Sequence, residues 1–295
     1  MPYGFIEYLE NKGYSDETVR SYQKVLKQFF SFISRTYNKH LEPYEINPLD
    51  IKNYLEEQRD REKSITTINK ELAIIKTLFH YLWVINKVPV DPTVKLKRFK
   101  VDKNIALDIT LSEIREVLKS VLSNPSYTPL RKAIFILATK GLKTAEFRFK
   151  KEDVVEVPGD DSIEIFTKNR KIILKDTEAA CFIEYFYESM FNDSDYVFTT
   201  KHRDTEKNGP IQVMSILNHL RVITEDYLPE KKSTPLTLLS IRRAIAYDLY
   251  IKKVPIQLIA KELGIEESST TNYLKKLAKS FSNQKKLEAK FDNSV

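Results

Sequence analysis

The sequence predicts a mainly α-helical protein of two domains, with one small three-stranded antiparallel sheet confined to the second. Three observations predict it. Apolar residues recur at spacings of three and four along most of the chain, the period of an amphipathic helix. Glycine is scarce, 6 in 295 residues, which leaves too few tight turns for a sandwich or a propeller. Only between residues 154 and 174 does the pattern change to short β-like runs. A chain of 295 residues is also too long for one small core and comfortable for two.

The first domain is expected over residues 1–92. Phe5, Ile6 and Leu9 open it, and Val19, Tyr22, Leu26, Phe29, Phe30 and Ile33 then mark one face of a long helix with Ser15 as its N-cap. Ile51, Tyr54 and Leu55 mark a short helix after the turn at 43–48. Ile68, Leu72, Ile75, Leu78, Phe79 and Leu82 share one face of another strong helix, which Pro89 and Pro92 bring to an end. Residues 93–108 read as a basic linker, with Lys95, Lys97, Arg98 and Lys100 close together. It is either a solvated connector or a strap along a phosphate backbone.

The second domain is expected over 109–295. Thr110 or Ser112 can cap a helix that runs to about Leu122. Residues 131–139 are apolar all round, which places that helix inside the domain. Strands follow at Val154-Val155, Ile163 to Phe166 and Ile172 to Leu174, with Pro158 to Asp161 turning between the first two. Helices resume at 177–191, 211–228, 236–253, 255–263 and 271–281.

Composition narrows the function. A net charge of +7 favours an anionic partner such as nucleic acid. The single cysteine, Cys181, excludes an internal disulfide and reads as a small packed residue. Neither a signal peptide nor an 18-residue apolar run is present, so a cytoplasmic protein without a membrane partner is expected. His40, His80, His202 and His219 have no metal-like spacing, and glycine-rich phosphate loops are absent. No metal, cofactor or ATP is expected.

The order of elements, together with several short motifs, resembles the tyrosine recombinase (phage integrase) family over nearly the whole chain. Residues 15–30, SDETVRSYQKVLKQFF, look like the opening helix of that family's SAM-like core-binding domain. Residues 67–82, TINKELAIIKTLFHYL, look like its last helix, with Lys70 and Lys76 where the family faces DNA. Residues 139–146, TKGLKTAE, resemble its glycine-leucine-arginine-x-x-glutamate box. Thr234-Pro235 with Leu239 to Arg243 resembles its histidine-x-x-arginine box, and 263–273 resembles the segment leading to its nucleophilic tyrosine.

The resemblance implies phosphoryl transfer to a tyrosine, with two arginines on the phosphate, a hairpin lysine as acid and histidines moving protons. Held against that set, this chain is degenerate. Lys143 stands for the first arginine, Leu239 for the first histidine and Ile265 for the later histidine or tryptophan. Arg242 is the second arginine in place, either on a phosphate or in an internal pair with Glu146. Lys168 or Lys171 is the hairpin lysine, and Arg243 adds a further cation. Tyr273 falls one residue short of the nucleophile's place, a rotation of about 100° on a helix. The expectation is a sequence-specific double-stranded DNA binder that has lost recombination, a phage or mobile-element transcriptional repressor. The alternative is a divergent active recombinase using Tyr273, and a weaker third reading is an accessory factor to one. Self-association through the C-terminal tail and a phage-encoded regulator are further expectations. The DNA-binding reading requires Lys143 and Arg242 to lie together and not to be sealed off from solvent by acidic neighbours.

Overall fold

The computed structural model describes residues 2–101, 109–201 and 208–278. The chain divides into two compact units, Met1–Lys103 and Asn104–Val295. Among the described residues no helix is long and apolar enough to cross a membrane.

The first unit holds α1 (Phe5–Asn11), α2 (Asp16–Tyr37), α3 (Pro48–Asp60) and α4 (Ile65–Val84). Their starts are set by local chemistry. Ser15 Oγ accepts the Thr18 amide, Asn47 forms a capping box ahead of Pro48, and Ser64 Oγ accepts the Thr67 amide. The faces expected from periodicity meet in one core, where Leu26, Phe29, Ile51, Leu72 and Phe79 are buried. Glu71 is also buried there. It accepts from the Tyr54 hydroxyl at 2.9 Å and pairs with Lys63 at 2.7 Å, so the carboxylate has partners on both oxygens. Burial, and then Glu71, push the Tyr54 phenol up.

Beyond α4 the chain returns to this same core. Val88 and Leu96 are buried in it and Phe99 packs against it. Asn69 on α4 clasps the returning segment by its main chain: its amide donates to the Phe99 carbonyl and its carbonyl accepts the Phe99 N–H, each at 2.9 Å. Residues 93–101, expected as connector, therefore lie on the first unit, with Leu96 supplying the apolar anchor. Residues 102–108 of the expected linker lie outside the described residues.

In the second unit α5 (Leu111–Ser123) starts at Thr110, which shares a capping box with Glu113. The next helix, α6 (Pro129–Thr139), is buried from Ala133 to Ala138, as an all-round apolar helix must be. Strands β1 (Val154–Val157), β2 (Ser162–Phe166) and β3 (Lys171–Lys175) pair antiparallel in sequence order, with Val157 opposite Ser162 and Phe166 opposite Lys171. Then come α7 (Asp176–Met190), a hairpin of β4 (Thr199–Lys201) and β5 (Asn208–Pro210), α8 (Val213–Tyr227), α9 (Leu238–Ile251), α10 (Ile256–Leu263) and a helical stretch over 267–278. The β4–β5 pair was not expected; strands of three residues carry no readable alternation. Cys181 is half-buried against the core, and burial pushes its thiol up.

Candidate nucleic-acid interface

The first unit presents its cations to solvent. Lys70 on α4 is exposed and donates to Ser21 Oγ at 2.9 Å, while Lys76 is half-buried on the same helix. Lys95, Lys97, Arg98 and Lys100 are all exposed on the clasped segment, while Leu96 and Phe99, three residues apart, turn inward to the core. Lys70, Arg98 and Lys100 line an open cleft of about 750 Å³ whose floor includes Asn69 and Phe99. A second groove of about 410 Å³ runs between α2 and α3, lined by Lys24, Lys27, Arg35, Arg61 and Lys63. Sequence reasoning missed this second groove. Its signal is present, since 24, 27, 31 and 35 lie on one face of α2.

The second unit buries two of its arginine side chains, Arg170 and Arg242. Helix α6 ends at Thr139, and Gly141 follows at φ +72, a left-handed turn that also brings its α-carbon against Ile245. Lys143 then begins a short 3-10 turn, Thr144–Phe147, in which Glu146 reaches back and accepts the Lys143 N–H at 2.8 Å. The same carboxylate meets two arginines. Arg170, from the β2–β3 turn, donates through Nε to Glu146 Oε1 at 3.0 Å, and Arg242 Nη1 on α9 lies 3.9 Å from Oε2.

Arg242 is 6% exposed. It donates to the carbonyls of Gly141 and Leu263. Arg170 donates through Nη1 to the carbonyls of Lys140, at 3.0 Å, and of Glu262. Gly264 closes α10 at φ +56, and a methyl there would fall 3.1 Å from Arg170 Cδ and 3.2 Å from Glu146 Oε1. Lys143 Nζ reaches the Gly264 carbonyl at 3.5 Å. Burial first, then the like charge of Arg242, hold the Lys143 ammonium below the ordinary lysine range.

The Tyr273 hydroxyl belongs to this group. It is buried with no hydrogen-bond partner among the described residues, and burial pushes its phenol up although Arg242 and Arg243 pull the other way. Arg242 and Arg243 are thus near enough for their charge to act on this phenol.

Comparison with known proteins bears on the whole arrangement. Residues 3–84 match the family model described as phage integrase, N-terminal SAM-like domain. XerD, a tyrosine recombinase of Listeria innocua serovar 6a, is 25% identical over 275 residues, 88% of each chain. XerC of Thermodesulfovibrio yellowstonii is 24% identical over 136 residues, 46% of this chain and 43% of that protein. The first domain of this chain thus matches a phage-integrase domain model, and over most of its length the chain is similar to tyrosine recombinases. It spans about half the length of several relatives it matches. The fold agrees with a crystal structure of a lambda integrase dimer bound to a COC′ core site, at a TM-score of 0.64 and 13% identity over 91% of this chain and 92% of that one.

Against the motifs of tyrosine recombinases, cationic residues stand at several of the expected positions, while leucine and isoleucine stand at the two expected to carry proton-transfer groups. Lys143 and Arg242 lie close enough for their charges to interact, as do Arg242 and Tyr273. Leu239 is half-exposed on the first turn of α9, and Ile265 packs on the core. Lys168 is exposed in the hairpin turn, and Lys171 is exposed but paired with Glu164 at 2.8 Å. Arg243 is half-buried, with its Nε unpartnered among the described residues. Of the two readings of Arg242, the contacts seen are those of the internal one, with Glu146 and two carbonyls. The guanidinium that sequence reasoning missed is Arg170. Its signal was parity: Ile172 and Leu174 turn inward on β3, so residue 170 shares their side while Lys171 does not.

Proposed function

We propose that this chain is a tyrosine recombinase relative that binds double-stranded DNA at a defined sequence without cutting it efficiently, and acts as a repressor encoded by a phage or other mobile element. One observation carries the reading: leucine and isoleucine occupy the proton-transfer positions, while cations surround them. Leu239 and Ile265 can neither give nor take a proton, and the Tyr273 phenol is pushed away from ionisation by burial. Removing one charge-stabilising donor typically costs about 3 kcal/mol of transition-state stabilisation. Removing an acid–base group costs roughly a further hundredfold. Phosphate affinity needs neither kind of group. It needs positive charge, which Lys70, Lys95, Lys97, Arg98 and Lys100 supply at the surface. A protein that occupies a site without breaking it acts by excluding other proteins, which is how a repressor works. The supporting charge arrangement is equally open to a phage-encoded regulator; the C-terminal tail proposed for self-association lies outside the described residues.

The test is selection of a bound duplex from a random pool, followed by incubation of the full chain with that duplex carrying a nick. The expected result is tight, salt-sensitive and wholly non-covalent binding, with repression of a reporter placed behind the site. A second reading, a divergent active recombinase, is favoured by the Tyr273 hydroxyl lying beside Arg242 and Arg243. A detergent-resistant protein–DNA adduct that Tyr273→Phe abolishes would establish it and overturn the first.

A further inference from the structure

Two guanidiniums, not one, flank Glu146, and the second comes from a part of the chain where the family motif places a lysine. Arg242 is on α9 and Arg170 is in the β2–β3 turn, and both reach the carboxylate that begins at the Lys143 box. The turn fixes Arg170 from both sides. The Thr167 N–H and hydroxyl donate to the Arg170 carbonyl at 2.9 and 2.8 Å, so the side chain leaves a closed loop in one direction.

Its donors are unequally used. Nε serves Glu146 and Nη1 serves two carbonyls, but Nη2 is buried with no partner among the described residues. Side-chain exposure of Arg170 is 5%. A buried guanidinium edge with two unused N–H groups is costly unless something accepts from it. Charge points the same way. Among the described residues Glu146 is the carboxylate facing Arg170, Arg242 and Lys143, which leaves a positive surplus in a site largely removed from water. A cleft of about 560 Å³, lined by Lys140, Lys171 and Lys261, leads to Arg170 from the surface.

We propose that Arg170 supplies the phosphate-binding guanidinium that Lys143 cannot, so that the arginine pair is restored from the hairpin rather than from the Lys143 position. Lysine offers a mobile point charge, whereas Arg170 is held in place through Nε and Nη1 and keeps Nη2 to donate to a phosphate oxygen. In Arg170, Glu146 orients the fork through Nε and leaves the Nη2 edge for a non-bridging oxygen. Lys143, on a long stem with its single 3.5 Å contact to a carbonyl, is the neighbour that yields as the phosphate enters. The assignment rests on the DNA-binding reading only for the source of the phosphate.

The experiment measures duplex affinity of the full chain over a salt series for wild type, Arg170→Gln and Lys168→Ala, with melting in sodium sulfate against sodium chloride at matched ionic strength. Each phosphate contact contributes roughly 0.9 to the slope of log affinity against log salt. Arg170→Gln keeps an amide near the Nε position for Glu146 but loses the donors to the Lys140 and Glu262 carbonyls and the charge. It is expected to lower the slope by about 0.9 and to weaken binding at least tenfold. It should also lose a sulfate-specific rise in melting temperature that wild type and Lys168→Ala show. If Arg170→Gln only melts lower, with slope and sulfate response equal to wild type, Arg170 is a structural staple and the proposal is wrong. If Arg170→Gln fails to fold, Arg170→Lys takes its place. It should keep the slope but bind more weakly, and binding equal to wild type overturns the proposal. Should wild type bind no duplex yet respond to sulfate through Arg170, the DNA reading falls and the anion assignment stands.

Discussion

The two units hold their positive charge in opposite ways. On the first, Lys70, Arg98 and Lys100 stand in solvent around an open cleft. In the second, Arg170 and Arg242 are buried around a single carboxylate. A solvated cation costs nothing to keep charged, and attracts phosphate through counterion release and a field that salt screens within about 10 Å. A buried cation must be held by acceptors at fixed positions, here Glu146 and the carbonyls of Lys140, Gly141, Glu262 and Leu263. Under the proposed function, the first arrangement would attract a strand from a distance and the second would select among geometries once it had arrived.

Each half of that contrast can be broken separately. The largest effect should come from Glu146→Gln, which leaves two buried arginines without their carboxylate. Breaking a buried pair in this way typically costs about 3–5 kcal/mol, and urea unfolding of the full chain would show it. A loss under about 1 kcal/mol would mean that the carbonyls alone hold the arginines.

Next is the triple variant Lys95→Ala, Lys97→Ala, Arg98→Ala on the clasped segment. Surface cations contribute little to folding, so its melting temperature should match wild type. Its duplex affinity should fall roughly ten- to a hundredfold, and its salt slope should shrink by up to about 0.9 per contact. An unchanged slope would show that this segment faces away from DNA.

Tyr273→Phe should raise stability. The hydroxyl is buried and unpartnered, and an unsatisfied buried polar group typically costs about 1–3 kcal/mol. A gain of about 1 kcal/mol is expected, and a loss would reveal a hidden acceptor.

The smallest effect is on pH dependence. Lys143 titrates below the ordinary lysine range, so just under that range the unfolded chain binds more protons than the folded one. Stability from this group therefore rises with pH in that window. Lys143→Met should flatten the rise in a melting series.

How much of this was legible depended on how far apart the partners lie. Ser15 and Thr110 cap helices through amides three residues on, and such signals sit within one short window of sequence. The interior position of α6 followed from its being apolar on every side. The fold order and the meeting of Lys143 with Arg242 were readable from ordered motifs. Asn69 was not, because its partner is Phe99, 30 residues later, and nothing local distinguishes it from other polar residues on α4. Arg170 was passed over because the turn between β2 and β3 is too short to show alternation. The inward parity of Ile172 and Leu174 points to it only once the strand is known. The internal engagement of Arg242 needed Glu146, Gly141 and Leu263 in one place, and those residues are brought together by tertiary contact alone.

The clasp on Phe99 touches only peptide atoms. Whatever side chains occupy the neighbouring positions, the same two amide contacts hold that stretch in register. Its outward residues are thus free to drift in evolution without loosening their seat.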